Sequence, residues 1–225
     1  MRRICRYGPS CSTAGPVPVL FFCLVLAAIV AVSSGFAAAR AAGEAERSPH
    51  ELIPLLRDGG LIIYLRHAAT DHRESDSDIS DLSRCDLQRN LSDQGRQEAA
   101  ETDKAIRALG IPIGAVYASP YCRTIDTAGL VFGRYEVLDG LRATFFTDAE
   151  ETARLAAFLR ERLSQPPPAG GNTVLVGHSA NLSDVTAIWP RPEGVAHVFR
   201  PLGDGGFEHL GRIVPTDWQN LVAKR

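Results

Sequence analysis

The sequence predicts a three-layer α/β sandwich, in which a mostly parallel β-sheet carries helices on both faces. Two continuous apolar segments, residues 61–65 (LIIYL) and 173–176 (TVLV), are typical of strands that are buried on both faces. Segments with helical periodicity alternate with such strands, which favours a parallel sheet with helical crossovers. The composition agrees with a globular domain, because 45% of the 225 residues are hydrophobic and 22% are charged.

The N-terminal segment follows a different pattern. Arginines near the start precede an apolar run at residues 17–32, and small residues follow up to 37–39 (AAA). This order predicts a secretory signal peptide over residues 1–39, and a single domain over residues 40–225. A retained membrane anchor through residues 17–32 is the alternative, although this run is shorter than the ~20 residues that span a bilayer.

Export would determine the redox state of the cysteines and the partners that the protein can meet. Cys85 and Cys122 are the cysteines that follow residue 39, and such a pair in an oxidising compartment favours a disulfide over two free thiols. The expected location is periplasmic or extracellular. The formal net charge of −2 excludes the basic field that nucleic-acid binding requires. Membrane contact is expected only if the N-terminal segment is retained.

The first helix and strand are predicted from local signals. A capping box at residues 48–51 (SPHE), with proline in the first helical position, starts a helix that the glycines at 59–60 end. The apolar strand at 61–65 follows. The polar and acidic residues from 70 to 90 are typical of a loop.

The middle of the chain repeats this alternation. Gly110 and Gly133 are typical of residues that end helices. The predicted elements here are a helix at 92–109, a strand at 115–118, a helix at 121–132 and a strand at 135–138.

The last part begins with a helix that Asp148 caps and Glu151 supports. Its apolar face consists of Leu155, Phe158, Leu159 and Leu163. Residues 165–171 (QPPPAGG) break the pattern. The elements predicted after them are strands at 173–176, 195–200 and 207–214, and a short terminal element near Trp218.

Reactive side chains come directly after three of these strands. Arg66 and His67 follow the first strand, and Arg123 comes shortly after the second. His178 follows TVLV after one glycine. Because ligands bind beyond the carboxyl ends of strands in open α/β sheets, these two arginines and two histidines are expected to share one pocket.

Such a set suits phosphoryl transfer. Arginine presents a planar fork of donors that matches phosphate oxygens. Histidine titrates near neutrality and acts as a nucleophile in covalent catalysis. Phosphoryl transfer depends mainly on positioning and on neutralising charge, which fixed cations provide.

The same segments resemble the histidine phosphatase superfamily, which includes phosphoglycerate mutases and acid phosphatases. Residues 65–70 (LRHAAT) resemble its arginine–histidine signature, and residues 91–99 (LSDQGRQEA) resemble the start of the helix that follows. Residues 118–124 (ASPYCRT) and 176–179 (VGHS) resemble the second-arginine and second-histidine motifs. The resemblance covers residues 60–180 and implies a phosphoglycerate mutase-like fold with no metal and no organic cofactor.

The resemblance also implies roles for these residues. His67 would take the phosphoryl group, and Arg66, Arg123 and His178 would hold its oxygens, with Thr70 as a further phosphate ligand. Water would then release phosphate from the phosphohistidine. The expected activity is an exported phosphatase that hydrolyses phosphate monoesters or phosphoramidates. Its partner would be a phosphorylated small molecule or an envelope component.

The proton donor is where the sequence departs from the family. Many members have an acid where Ala143 stands here, and Ser179 replaces the acid that follows the second histidine in acid phosphatases. Glu150 is the candidate general acid, and its neighbours Asp148 and Glu151, together with Asp71 and Glu193, are further possibilities. The departure keeps open a phosphate-binding module of the same fold without turnover.

Two other readings stay open. Residues 177–181 (GHSAN) nearly match the nucleophile elbow of serine hydrolases, with Ser179, Asp204 and His209 in the appropriate order, although Asn181 replaces the final glycine. Histidine and carboxylate side chains also suit zinc. The candidate ligands for a metal would be His67, Asp71, His72 and His178, but no tight ligand spacing supports such a site.

Overall fold

A computed structural model describes residues 46–168 and 170–223. In this part of the chain, six strands form one sheet. The strands are β1 (Ile62–Arg66), β2 (Ile113–Ala118), β3 (Glu136–Val137), β4 (Asn172–Gly177), β5 (Ala196–Gly203) and β6 (Gly206–Ile213). Each strand predicted from the sequence is present, with ends that differ by a few residues.

The helices also follow the prediction, with one addition. They are α1 (Pro49–Asp58), α2 (Asp93–Leu109), α3 (Cys122–Phe132), α4 (Ala149–Ser164), α5 (Ser179–Thr186) and α6 (Pro215–Ala223). Helix α5 was not predicted, because its sequence SANLSDVT is short and has no clear apolar stripe. Helix α6 is the short terminal element expected near Trp218. The polar segment at 70–90 is a loop with one short 3₁₀ turn, Cys85–Leu87.

The sheet is mixed, in the order β3-β2-β4-β1-β5-β6. The first four strands in this order are parallel, whereas β5 is antiparallel to β1 and to β6. Strands β5 and β6 are joined by a tight turn at Asp204 and Gly205, both with positive φ. Such a short connection can only join antiparallel strands, so the mostly parallel sheet has an antiparallel edge.

Helices cover both faces of the sheet, as predicted. Ile63 and Leu65 of β1 contribute to one apolar core, together with residues of α1, α2, α3 and α6. Ile62 and Tyr64 contribute to the opposite core, which includes residues of α4 and α5. Because side chains alternate along a strand, one continuous apolar strand supplies both cores, and the result is a three-layer sandwich.

The predicted signal peptide at residues 1–39, and the alternative anchor at 17–32, lie outside the described residues. Within 46–168 and 170–223, no helix has the length and apolar character needed to cross a membrane.

Candidate active site

The predicted strand ends meet at one edge of the sheet. Strands β2, β4 and β1 are adjacent and parallel, and their register places Ala118 opposite Val176 and Arg66 opposite Gly177. The residues that follow these strands therefore lie side by side. The ring centroids of His67 and His178 are 5.6 Å apart, so the structure brings together the two histidines predicted from the sequence.

His67 is oriented as a nucleophile. Its Nδ1 lies 3.0 Å from the Ala68 carbonyl oxygen. A carbonyl can only accept a hydrogen bond, so Nδ1 carries the proton and Nε2 keeps its lone pair. The ring is 3% exposed, and burial lowers the pKa of His67 well below its usual value, with Arg123 adding to the effect. The imidazole is therefore neutral at pH 7.

His178 is held by Tyr64 from β1 and by Ser119 after β2. The Tyr64 hydroxyl accepts a hydrogen bond from the His178 backbone N–H (3.0 Å) and donates one to its carbonyl (2.8 Å). Gly177 makes this contact possible, because a Cβ there would overlap the Tyr64 hydroxyl. The His178 Nε2 lies 2.8 Å from Ser119 Oγ. Burial, followed by the charge of Arg123, lowers the pKa of His178 well below its usual value.

Three arginines surround the two histidines. Arg66 donates from Nη1 to the Pro190 carbonyl (3.0 Å), and Arg123, which is 2% exposed, donates from Nη1 to Asp76 (2.9 Å). Arg89 was not predicted from the sequence; it lies four residues before the start of α2. All three guanidinium groups lower the pKa of both histidines, so all three lie within electrostatic reach of them.

Several buried N–H groups at this site have no hydrogen-bond partner within the described ranges. They are the Nε atoms of Arg66, Arg89 and Arg123, together with Nδ1 of His178 if that nitrogen carries the ring proton. A buried donor without an acceptor is costly, and nearly all such donors in proteins have partners. An anion with several acceptor oxygens, such as a phosphoryl group, would satisfy these donors together.

Two carboxylates hold the arginines in place. Glu193 accepts from Arg66 Nη2 (2.9 Å) and from the Thr70 backbone N–H (2.8 Å). Asp76 accepts from Arg123 Nη1 and from the Arg89 backbone N–H (3.0 Å). The Thr70 hydroxyl lies 3.1 Å from both Glu193 oxygens. Thr70 therefore supports the site through Glu193, and direct contact with phosphate stays a prediction.

The loop that carries Asp76 and Arg89 is tied to α3. Cys85 and Cys122 form a disulfide with their Cα atoms 5.7 Å apart, which confirms the predicted pairing. Gln88 accepts a hydrogen bond from the Cys122 backbone N–H (3.0 Å). These contacts place the polar loop directly beside Arg123.

The candidate general acid, Glu150, has no contact with the groups of this site in the described part of the chain. Glu150 is exposed in the first turn of α4, and it makes no hydrogen bond or ion pair within the described residues. Ala143 is buried and lines a cavity of about 250 Å³ together with Tyr121 and Arg142.

The serine-hydrolase arrangement does not form. Both ring nitrogens of His209 face groups other than Ser179: Nε2 lies 3.0 Å from His197 Nδ1, and Nδ1 lies 3.6 Å from Glu46. Asp204 lies in the exposed turn between β5 and β6. The metal alternative also gains no support, since the described part of the chain has no cluster of three or more His, Cys, Asp or Glu side chains that could hold an ion.

Comparison with solved structures shows that the fold is similar to that of a known phosphatase. The protein histidine phosphatase SixA, complexed with tungstate, superposes with a TM-score of 0.51 at 16% identity, over 70% of this chain and 98% of that chain. A phosphoserine phosphatase from Entamoeba histolytica has a TM-score of 0.46 at 15% identity, over 66% and 96%. A mycobacterial glucosyl-3-phosphoglycerate phosphatase has a TM-score of 0.46 at 16% identity, over 63% and 90%.

Comparison of the sequence with curated proteins finds no match. The family model of the histidine phosphatase superfamily (branch 1), in contrast, matches residues 62–174. This range contains Arg66, His67 and Arg123, and it ends just before His178, which the sheet brings to the same edge. The chain therefore belongs to the histidine phosphatase superfamily.

Proposed function

We propose that this chain is an exported phosphatase that hydrolyses phosphate monoesters through a phosphohistidine on His67. One observation carries the proposal: two buried neutral histidines lie among three arginines whose buried Nε–H groups lack acceptors. Such a cluster has donors for the oxygens of a phosphoryl group and an unprotonated nitrogen to attack its phosphorus.

The chemistry follows from the positions of these groups. His67 Nε2 attacks phosphorus while the bond to the leaving-group oxygen breaks. Arg66, Arg89 and Arg123 neutralise the charge on the phosphoryl oxygens, and they change position little because Glu193 and Asp76 hold two of them. With the Ser119 hydroxyl donating to His178 Nε2, the His178 Nδ1–H becomes a further donor to phosphate. Water then attacks the phosphohistidine and releases phosphate.

The low pKa of His67 keeps the nucleophile ready below neutral pH. A histidine with its ordinary pKa of about 6.5 would be largely protonated at pH 5.5 and unable to attack. Because burial and Arg123 lower the pKa of His67 well below that value, protonation of this ring is expected to limit the rate only under more acidic conditions.

Export is part of the proposal because of two features. The pattern of residues 1–39 is that of a secretory signal peptide. The Cys85–Cys122 disulfide is typical of proteins from oxidising compartments. Expression of the full chain, fractionation of the cells and N-terminal sequencing of the product test this part. An intact N-terminus in the cytosolic fraction would contradict export, and an intact N-terminus in the membrane fraction would indicate an anchor.

The substrate is expected to be a phosphorylated small molecule or an envelope component. A test uses purified protein and a panel of phosphate monoesters and phosphoramidates. The panel includes phosphoserine and glucosyl-3-phosphoglycerate, for which two of the structures above are named. Reactions are quenched in alkali, where phosphohistidine survives, and the modified residue is identified by mass spectrometry. We expect phosphate release and a phosphoryl group on His67.

The matched variants are His67→Ala and His50→Ala, since His50 is exposed on α1 away from the sheet edge. His67→Ala should lose both turnover and the phosphoenzyme, and His50→Ala should keep both. Phosphate binding without turnover on any substrate would instead identify a non-catalytic module. Turnover that survives in His67→Ala would end the phosphohistidine proposal.

A further inference from the structure

Cleavage of a phosphate ester of an alcohol requires a proton for the departing oxygen. The two carboxylates that hold the arginines of the site have no proton to donate. Glu193 accepts hydrogen bonds from Arg66 and Thr70, and Asp76 accepts from Arg123 and the Arg89 backbone, so both serve as ionised acceptors. Protonating either carboxylate would break its ion pair with an arginine.

The acids in the neighbouring cavity are also unsuitable. Asp148 accepts a hydrogen bond from the Glu151 backbone N–H (2.8 Å) as the cap of α4. Hydrogen bonds from Arg154 and Arg142 lower the pKa of Glu151 to about 2. Both groups line the 250 Å³ cavity, but Glu151 is ionised at any physiological pH. The remaining O–H groups in the cavity wall belong to Tyr121 and Thr147.

Tyr121 lies between this cavity and the histidines. Its ring meets the His178 ring edge to face, with centroids 4.8 Å apart, and the Arg123 guanidinium carbon lies 4.5 Å from its centroid. The side chain is buried, yet its hydroxyl has no hydrogen-bond partner in the described part of the chain. The Thr147 hydroxyl, in contrast, donates to the Thr144 carbonyl (3.0 Å). Of these two hydroxyls, only that of Tyr121 is uncommitted.

We propose that the Tyr121 hydroxyl is the proton donor to the leaving-group oxygen. The proposal rests on the phosphohistidine route above. As the bond from His67 Nε2 to phosphorus forms and the bond from phosphorus to the ester oxygen breaks, the ester oxygen takes the Tyr121 proton and leaves as an alcohol. The resulting tyrosinate then takes a proton from the water that attacks the phosphohistidine. The hydroxide oxygen forms inorganic phosphate, and His67 and Tyr121 return to their starting states.

The electrostatics of the site suit this step. Burial raises the pKa of Tyr121, and the charge of Arg123 opposes this rise. The phenol is therefore protonated throughout the neutral range, yet it remains a much stronger acid than an alcohol, so transfer of its proton to a departing alkoxide is downhill. Arg123 and Arg142 both favour the transient tyrosinate.

The test compares leaving groups that differ in their need for a proton. Tyr121→Phe removes one oxygen and keeps the ring on His178. With an alkyl phosphate, we expect kcat/KM to fall about 100-fold or more, since general acid catalysis typically contributes 10²–10⁴. With p-nitrophenyl phosphate, whose leaving group departs without a proton, the phosphorylation rate in a single turnover should stay near that of the wild type.

Tyr117→Phe is the matched control, because Tyr117 is a half-buried tyrosine on β2 outside the site. Tyr117→Phe should leave the kinetics with both substrates unchanged. A second measurement replaces Tyr121 with 3,5-difluorotyrosine, which keeps the hydroxyl and lowers its pKa. The alkaline limb of the alkyl phosphate profile should then move to lower pH. This measurement does not depend on the fold tolerating phenylalanine.

Two results would overturn the assignment of Tyr121. An equal loss on both substrates would show that the ring acts only by packing on His178 and Arg123, and no loss on the alkyl phosphate would place the donor elsewhere. Failure of the phosphohistidine route is separable from both, because the wild type would then yield no phosphorylated His67 with p-nitrophenyl phosphate.

Discussion

The described part of the molecule has two pairs of neighbouring histidines, and only one of them forms a candidate active site. His67 and His178 follow parallel strands at one edge of the sheet, with ring centroids 5.6 Å apart. His197 and His209 lie on the antiparallel β5 and β6, with ring centroids 5.1 Å apart. Burial lowers the pKa of all four rings, so a depressed histidine pKa alone does not identify catalytic residues.

The difference lies in the partners of the two pairs. His197 Nδ1 and His209 Nε2 are hydrogen-bonded to each other at 3.0 Å, and Glu46 lies 3.6 Å from the other nitrogen of His209. The first pair instead has arginines around it whose buried Nε–H groups lack acceptors. The second pair is hydrogen-bonded internally and stabilises the fold, although His197 Nε2 is buried without a partner among the described residues, whereas the first pair lies among several unsatisfied donors and is prepared for an anion.

The largest expected effect comes from the same substitution made in each pair. His67→Asn removes the nucleophile, and kcat should fall at least about a thousandfold, as in other enzymes that lose a nucleophile. His197→Asn should leave kcat unchanged, because its ring contacts no group of the site. Steady-state kinetics on the best monoester of the panel measures both. A large loss of kcat in a correctly folded His197→Asn variant would show that the second pair also contributes to activity.

A smaller effect on activity is expected when lysine replaces an arginine of the site. Arg123→Lys keeps the charge and loses the planar fork, and kcat/KM should fall about 100-fold, as when one oxyanion donor is removed. Arg200→Lys is the control, since Arg200 pairs with Glu208 on the edge hairpin and should tolerate the change. If both variants keep full activity, positive charge alone is sufficient and the unsatisfied donors do not matter.

Stability should change without activity when the disulfide is removed. The Cys85–Cys122 bridge lies only on the side of the arginine-lined pair, and it closes a loop of 37 residues. Cys85→Ala with Cys122→Ala should lower the free energy of unfolding by about 3 kcal/mol while kcat stays similar. Urea unfolding and kinetics, with and without reductant, check this. Activity lost at unchanged stability would show instead that the bridge positions Arg123 directly.

The smallest effect concerns pH and the second pair. Burial lowers the pKa of His197 to about 3, whereas an unfolded histidine has a pKa of about 6.5. Below pH 6.5 the unfolded chain therefore binds more protons, and stability falls as the pH drops towards 3. His197 alone should cost about 2 kcal/mol at pH 5.

Urea unfolding at pH 7.5 and pH 5 tests this expectation. The loss of stability between the two pH values should be smaller in His197→Asn than in the wild type, because asparagine does not titrate. Equal losses in the two proteins would mean that His197 is not the group responsible.

The sequence predicted the elements better than the site. The capping signals at Ser48 and Asp148 mark the starts of helices because the caps are local interactions, and each helix begins there. The convergence of His67 and His178 was also predictable, since apolar segments identify parallel strands and their ends share an edge. Helix α5 was missed because it is short and lacks periodicity.

The residues that support the site were harder to find. Arg89 and Asp76 lie in a polar loop, and Glu193 follows the irregular segment after α5. No periodicity describes the path of such segments, so their side chains could not be placed beside Arg66 and Arg123 from the sequence alone. Glu150 was chosen for its position in the chain, but helix geometry directs it to solvent. The ion pairs of Asp76 and Glu193 with arginines become visible only in the folded structure.

The contact between Tyr64 and Gly177 has an evolutionary consequence. The phenol occupies the space that a side chain at 177 would need, and it holds the backbone of His178 through two hydrogen bonds. A larger residue at 177 therefore becomes tolerable only after the aromatic hydroxyl has gone, and its loss frees the second histidine. Among descendants of a common ancestor, these two positions should change together or remain as they are.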